Sequence, residues 1–196
     1  MRKNYLFFIL FVLSPILSYA THLRAGEITA TRISGTQLTY RVTLITYTDK
    51  KNGKEANDGQ ETVFFNFGFS TTRLETMKVR RKQRVLINAA TVRNVYDTTF
   101  TFPAAGYYTI GCGIINRNAN TINLPVADGS ENVSFFVQTS ILINSNIGFN
   151  STPVLLNAPI DSAAVGQRFI NNPAAFDIDG DTISYKLTIP RRDQGI

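Results

Sequence analysis

The chain has 196 residues, 43% of them hydrophobic and 17% charged, which is enough for one or two domains whose core needs no disulfide. Its 20 Lys and Arg exceed its 14 Asp and Glu, so the formal net charge is +6. One cysteine and one histidine exclude an intramolecular disulfide and every metal motif that needs two histidines.

Residues 1–20 have the pattern of a secretory signal peptide. Arg2 and Lys3 precede the apolar run LFFILFVLSPIL at residues 6–17, and Ala20 ends a cleavage site of small residues. The apolar run is too short for a comfortable membrane span. We therefore expect export through the periplasm and a mature chain that starts after the signal peptide, carries a net charge of +4 and has no transmembrane helix.

Period-two alternation of apolar residues dominates the mature chain, with many β-branched and aromatic side chains. In one such run Tyr40, Val42 and Leu44 are expected on one side of a half-buried strand. The pattern predicts an all-β fold, an immunoglobulin-like antiparallel β-sandwich over residues 21–145, with turn residues between the strands. The predicted strands are residues 22–33, 37–48, 62–69, 74–87 (as one strand or two), 98–102, 107–115 and 133–143.

Two features inside this region have competing interpretations. The run KVRRKQR at residues 78–84 holds five positive side chains and indicates either a patch for anionic polymers or a solvated strand face. The strand face is favoured because the run lacks the aromatic residues that accompany single-strand nucleic-acid binding, and no nucleic-acid partner is expected. Cys112, in the apolar stretch YTIGCGII, is expected to be a buried small hydrophobic residue rather than a reactive thiol.

The character of the chain changes after the predicted sandwich. Residues 146–160 are polar at the front and bounded by proline behind, which predicts a linker. Residues 161–196 then show strand, turn and strand patterns, but are too few to bury a core alone. We expect them to be the truncated start of a second immunoglobulin-like or cadherin-like β domain, in a fragment of a longer chain.

Several motifs resemble one family in the same order along the chain. The chain is similar to the N-terminal region of large Bacteroidetes cell-surface proteins, which are gliding-motility-associated, contain PKD or immunoglobulin-like domains and are cargo of type IX secretion. Thr48-Asp49-Lys50 departs from that family's "RDC" element, and Asn171 stands where the family has a histidine. The motifs that carry the resemblance are ATHLRAGEITAT (20–31), LTYRVTLITYTD (38–49), NRNANTINLP (116–125), SFFVQTSILIN (134–144), STPVLLNAPI (151–160) and NNPAAFDIDGDTISYKL (171–187).

The stretch FDIDGDTISY contains the candidate metal site. Asp177, Asp179 and Asp181 could supply part of the oxygen shell of calcium, with Asp161 or Asp193 adding a ligand. The glycine position and the absence of a later glutamate exclude an EF-hand. The stretch also resembles the "DPDGD" junctions of cadherin-like repeats, which implies calcium between domains. The alternative is a β-turn in which the aspartates cap their own backbone.

No hydrolase, phosphate-loop or zinc-protease motif occurs, so the sequence selects no catalytic or cofactor-binding residue and predicts no enzyme. Together with the resemblance, this predicts an exported, adhesin-like interaction or structural protein at the cell surface or outside the cell. Its expected partners are neighbouring β domains of the same longer chain, a surface protein or a polysaccharide. The alternative is a carbohydrate-binding module or glycan-processing accessory protein, which would need exposed aromatic residues among Tyr47, Phe65, Phe67, Phe69 and Tyr107.

Overall fold

The structure is a computed structural model of the chain. The predicted signal peptide, its cleavage site and His22 lie outside the described residues, as do Asp161 and Asp193. The described residues are 23–36, 38–51, 53, 58–69, 72–115, 117–119, 121–122, 124, 129–146, 148–159 and 162–192.

The described residues form an all-β fold, as predicted, with seven long antiparallel strands in the order β1-β2-β5-β4-β3-β6-β7. The strands lie close to the predicted segments because apolar alternation matches the two faces of a sheet whose inner side is buried. They are β1 (Leu23–Arg32), β2 (Thr39–Asp49), β3 (Thr62–Phe69), β4 (Thr72–Asn88), β5 (Thr91–Thr101), β6 (Gly106–Ile114) and β7 (Phe135–Ile143).

The long strand β4 divides the strands into two sheets. Its first half, Thr72 to Arg80, pairs with β3, and its second half, from Arg81, pairs with β5. One sheet is therefore β1-β2-β5-β4 and the other β4-β3-β6-β7. When β1 to β7 are lettered A to G in chain order, β1-β2-β5-β4 becomes A-B-E-D and β3-β6-β7 becomes C-F-G. This is the strand arrangement of constant-type immunoglobulin domains, so the sandwich is immunoglobulin-like.

The core lies between the sheets and is rich in aromatic rings. Tyr40, Val42 and Leu44 of β2 are fully buried, which confirms the predicted inner face of that strand. Phe67 and Phe100 stack with their ring centroids 3.8 Å apart. Further rings surround Phe102, so this cluster supplies much of the burial that a domain without a disulfide needs.

Tyr108 marks the corner between β5 and β6. Its ring is buried against Phe102, and its hydroxyl donates a 2.8 Å hydrogen bond to the carbonyl of Ala104. A tyrosine at the start of this strand, bonded to the backbone a few residues upstream, is a hallmark of immunoglobulin domains. Cys112 follows on the same strand and is fully buried, as predicted for a small hydrophobic residue.

Two element boundaries differ from the sequence prediction. β4 is a single continuous strand that changes partners midway. β5 begins at Thr91, seven residues before its predicted start. The sequence prediction missed this start because the preceding turn contains no glycine or proline. Instead Asn88 closes this turn by accepting a 2.9 Å hydrogen bond from the N–H of Ala90.

The residues after β7 form little regular structure. β8 (Val154–Leu155) and β9 (Ala175–Phe176) pair antiparallel in a two-stranded sheet, and the described part of 177–192 contributes no strand. The predicted linker is therefore partly a strand, and the predicted strand-turn-strand pattern yields one short strand. None of the helical segments in the described part of the chain has the length and apolar character needed to cross a lipid bilayer.

Candidate functional site

The segment that follows the sandwich is attached to the outer edge of β1. The N–H of Ala30 donates to the hydroxyl of Thr152 at 2.7 Å, and the N–H of Thr152 donates to the carbonyl of Ala30 at 2.9 Å. The N–H of Arg32 donates to the hydroxyl of Ser151 at 3.3 Å. Ser151 and Thr152, about 120 positions further along the chain, thus cover part of the edge strand β1. Its backbone groups would otherwise need water as a hydrogen-bonding partner.

The stretch FDIDGD forms a turn that Asp177 caps. The Asp177 carboxylate, nearly buried, accepts hydrogen bonds from the N–H of Asp179 at 2.9 Å and from that of Asp181 at 3.4 Å. Gly180 has a φ of 84°, a conformation that glycine adopts without a steric cost. This is the aspartate-capped turn that the sequence offered as the alternative to a metal site.

Asp179 has a different role from Asp177, since its carboxylate leaves the turn. Oδ2 of Asp179 accepts a 2.5 Å hydrogen bond from the N–H of Ser151. The turn is thereby joined to the segment that lies along β1, and Asp179 acts as a connector between the two. A carboxylate that accepts a backbone N–H makes a charge-assisted bond, about twice as strong as a neutral one.

The metal prediction is not decided by this arrangement. Among the described residues, no three His, Cys, Asp or Glu side chains lie close enough together to hold a metal ion. Asp161 and Asp193, the two additional ligands suggested by the sequence, fall outside the described residues. Calcium at Asp177, Asp179 and Asp181 stays a prediction; in the structure the Asp177 carboxylate caps the turn and the Asp179 carboxylate binds the N–H of Ser151.

A small cleft lies where the attached segment meets β1 and β2. It has a volume of about 90 Å³ and is lined mainly by apolar groups, with Glu27, Tyr47 and Leu155 among them. The Glu27 carboxylate accepts a hydrogen bond of 3.2 Å from the N–H of Leu155, which adds to the bonds that Ala30 and Arg32 make with the segment. Burial raises the pKa of the Glu27 carboxyl above its ordinary value, and that hydrogen bond and the charge of Arg93 oppose the rise.

The aromatic residues considered for sugar binding fall into two groups. Tyr47, Phe65 and Phe67 are buried in the sandwich or the cleft wall, which removes their faces from any ligand. Phe69 and Tyr107 are exposed, Tyr107 by 56%. Sequence alternation could not separate the two groups, because Phe65, Phe67 and Phe69 fall on the same side of β3 by alternation, and Phe69 follows a register shift at Phe67 and Gly68.

A second cleft, of about 140 Å³, opens at the end of the sandwich. Tyr40, Asn144, Ser145 and Phe149 are among the residues that line it. The guanidinium of Arg32 lies 3.9 Å from the centroid of the Phe149 ring, a cation–π contact at the cleft's border. Aromatic and polar side chains in one cavity are typical of small-molecule sites. Neither Phe149 nor the polar residues Asn144 and Ser145 had been predicted from the sequence as ligand-binding residues.

The basic run of β4 is a solvated strand face, as favoured by the sequence. Arg80 pairs with Glu61 at 3.0 Å and Lys82 with Asp97 at 2.5 Å, and Arg84 pairs with Asp58. Acidic residues of the neighbouring chain segments thus offset the positive charge locally. Exposed ion pairs of this kind contribute little to stability, and they leave a weaker positive field than the bare run would give.

Sequence reasoning missed the residues that build the junction. Ser151 and Thr152 lay in the predicted linker, and Glu27 was one of several glutamates without a distinguishing neighbour. The one sequence signal was the motif STPVLLNAPI, in which Ser-Thr before proline favours an extended backbone.

No family model matches the chain, and no curated protein and no solved structure matches it.

Proposed function

We propose that this protein is an exported, non-enzymatic interaction and structural protein of the cell surface, in which the sandwich is joined to the start of a second β unit. One observation carries the proposal: residues 151–155 are hydrogen-bonded to β1 and are joined to the turn by Asp179. A spacer that is hydrogen-bonded to the domain transmits orientation and force better than a flexible linker does. Such a junction suits tandem β domains on a cell surface.

The proposed location follows from the signal-peptide pattern and the family resemblance, and the adhesin-like or gliding-associated role follows from the resemblance alone. We expect the protein in the cells that produce it to begin at Thr21, to be labelled by a membrane-impermeant biotin reagent on intact cells, and to be larger than residues 21–196. Deletion of residues 1–20 is expected to leave it in the cytoplasm. Recovery of the uncleaved chain in the inner membrane would contradict the proposal.

The alternative is a carbohydrate-binding module or glycan-processing accessory protein. Two observations favour it: Tyr107 is exposed on the outer face of β6, and the cleft at the end of the sandwich combines Phe149 with Asn144 and Ser145. Sugars stack on exposed aromatic rings and hydrogen-bond to side-chain amides and hydroxyls. A glycan array probed with the wild-type chain, Tyr107→Ala and Phe149→Ala separates the two functions, since a glycan hit lost in either variant supports sugar binding.

A further inference from the structure

The cleft at the end of the sandwich has a lining of mixed character. Tyr40 forms its buried floor, and the loop after β7 forms one wall through Asn144, Ser145 and Phe149. Among the described residues that line the cleft, none carries a charge. The cleft therefore offers an aromatic ring and neutral hydrogen-bonding groups, but no opposite charge for an ionic ligand.

The loop that forms this wall is held by its own hydrogen bonds. Asn144 and Gly148 face each other in an isolated antiparallel β-bridge, and the N–H of Asn146 donates to the Asn144 side-chain oxygen at 3.0 Å. Gly148 has a φ of 104°, a conformation that other residues rarely adopt. Because the loop uses the oxygen of the Asn144 side chain, its amide NH₂ group is the part that can donate to a ligand.

Arg32 fixes the aromatic ring at the border of the cleft. Its guanidinium lies 3.9 Å from the centroid of the Phe149 ring and donates a 2.7 Å hydrogen bond to the carbonyl of Thr36. The positive charge thus covers one face of the ring. Phe149 is 47% exposed and also lines the cleft, so ring surface remains for a ligand. A side chain that is held in place before binding loses little conformational freedom when the ligand arrives.

The size of the cleft limits the ligand to about one ring. Its volume is about 140 Å³, below the roughly 300–1,000 Å³ of pockets that enclose a whole drug-sized molecule. The end of a longer molecule fits a cleft of this size, while the remainder stays in solvent. The ligand is therefore a small molecule or one terminal unit of a larger one.

The lining determines the chemistry of that unit. A charged ligand would lose its hydration without gaining an opposite charge, and a purely apolar ligand would remove water from Asn144 and Ser145 without replacing the hydrogen bonds. A neutral sugar avoids both costs, since one face of a pyranose ring consists of C–H groups and its edge carries hydroxyls. The C–H face matches Phe149, and the hydroxyls match the two polar side chains.

We infer that this cleft binds the terminal residue of a neutral glycan, a pyranose ring that stacks on Phe149 and hydrogen-bonds to Asn144 and Ser145. The inference rests on the carbohydrate-binding alternative, and it names the site and the part of the glycan that is recognised. It selects the cleft over Tyr107 as the place of binding. Tyr107 lies opposite Leu142 in the ladder of β6 and β7, and this cross-strand neighbour offers a sugar no side-chain hydrogen bond.

An NMR titration of the isotope-labelled chain tests the site. The probes are the methyl glycosides of glucose, galactose, mannose and N-acetylglucosamine, with methyl glucuronide as a charged probe and cyclohexanol as an apolar one. At least one neutral glycoside is expected to shift the amide signals of Ser145, Gly148 and Phe149 in a saturable way. A trisaccharide that ends in the same residue is expected to bind within about threefold of it, because the other two rings stay outside the cleft.

Four variants separate stacking, hydrogen bonding and folding. Phe149→Ala is expected to weaken the affinity about tenfold, and Phe149→Tyr to retain it within about twofold because the ring remains. Ser145→Ala removes a hydroxyl from an exposed position, so it tests the site even where Phe149→Ala loosens the loop, and it is expected to weaken binding about fivefold. Tyr107→Ala is the matched control, an exposed aromatic residue of another surface, and is expected to bind as the wild type does.

Four results would overturn the inference. The neutral glycosides could leave the cleft signals unshifted, the glucuronide or cyclohexanol could bind more tightly than each of them, the trisaccharide could bind far more tightly than the single residue, or binding could survive unchanged in both Phe149→Ala and Ser145→Ala.

The glycan array distinguishes these failures from a failure of carbohydrate binding itself. Array hits that are lost in Tyr107→Ala and kept in Phe149→Ala would assign the sugar to the outer face of β6 and contradict the cleft alone. An array without hits would contradict carbohydrate binding and the inference together.

Discussion

The connector role of Asp179 makes the sharpest prediction about the junction. In Asp179→Ala the N–H of Ser151 loses a charged acceptor at 2.5 Å. Hydrogen bonds to charged groups contribute about 1.5–3 kcal/mol, and solvent exposure of Asp179 reduces this to about 1 kcal/mol. A loss of about 1 kcal/mol raises the population of the detached segment roughly fivefold.

Hydrogen exchange followed by NMR measures that detachment directly. The amides of Ser151 and Thr152 are expected to exchange roughly fivefold faster in Asp179→Ala, because local opening governs their protection. Amides of β6, in the centre of the sandwich, are expected to keep their rates. Asp181→Ala is the matched control, since the turn uses the backbone N–H of Asp181 and an alanine retains it.

The same experiment tests calcium. If Asp177, Asp179 and Asp181 hold the ion, added calcium slows exchange at the turn and raises the melting temperature, and a chelator reverses both effects. The connector reasoning would be refuted if Ser151 and Thr152 exchanged at wild-type rates in Asp179→Ala, or if Asp181→Ala accelerated them equally. A calcium effect that is as large in each of the three aspartate-to-alanine variants as in the wild type would contradict the metal site. It would leave the connector reasoning intact.

Three further predictions concern the sandwich and its cleft. Phe102→Ala leaves a cavity among stacked rings and is expected to lower the free energy of unfolding by about 3–5 kcal/mol in urea titrations, whereas Tyr107→Ala, on the exposed face, is expected to change it far less. Tyr108→Phe removes the hydrogen bond to Ala104 and is expected to cost about 1 kcal/mol in the same assay, and an unchanged value would argue against the corner as a stabilising element. Glu27 has a raised pKa in the folded state, so its contribution to stability is largest when it is protonated and falls as the pH rises through that pKa. Glu27→Gln is therefore expected to flatten this part of the pH dependence of the melting temperature, and identical pH profiles of the variant and the wild type would refute the sign of the shift.

The predicted orientation of the side chains is confirmed in strands whose burial repeats every second residue. In the first half of β2 the inner residues Tyr40, Val42 and Leu44 are apolar and the outer residues Arg41 and Thr43 are polar, so sequence alone predicts the orientation of these side chains. In β3 Phe67 and Phe69 have the same alternation position, so the pattern could not distinguish the buried Phe67 from the exposed Phe69. The start of β5 was missed for a related reason, since its turn depends on the side chain of Asn88 rather than on glycine.

The sequence by itself determined the all-β class, most strand positions and the burial of Cys112, and it offered the turn at FDIDGD as one of two alternatives, because each depends on local alternation or local hydrogen bonding. The tertiary structure decided the strand order, the change of partner along β4, and the bonds of Ser151, Thr152 and Asp179 across the junction. These contacts join residues up to about 120 positions apart, and a local pattern contains no information about which distant edge a segment meets. The physical reason is that an edge strand accepts any backbone of suitable shape, so only the assembled sandwich selects its partner.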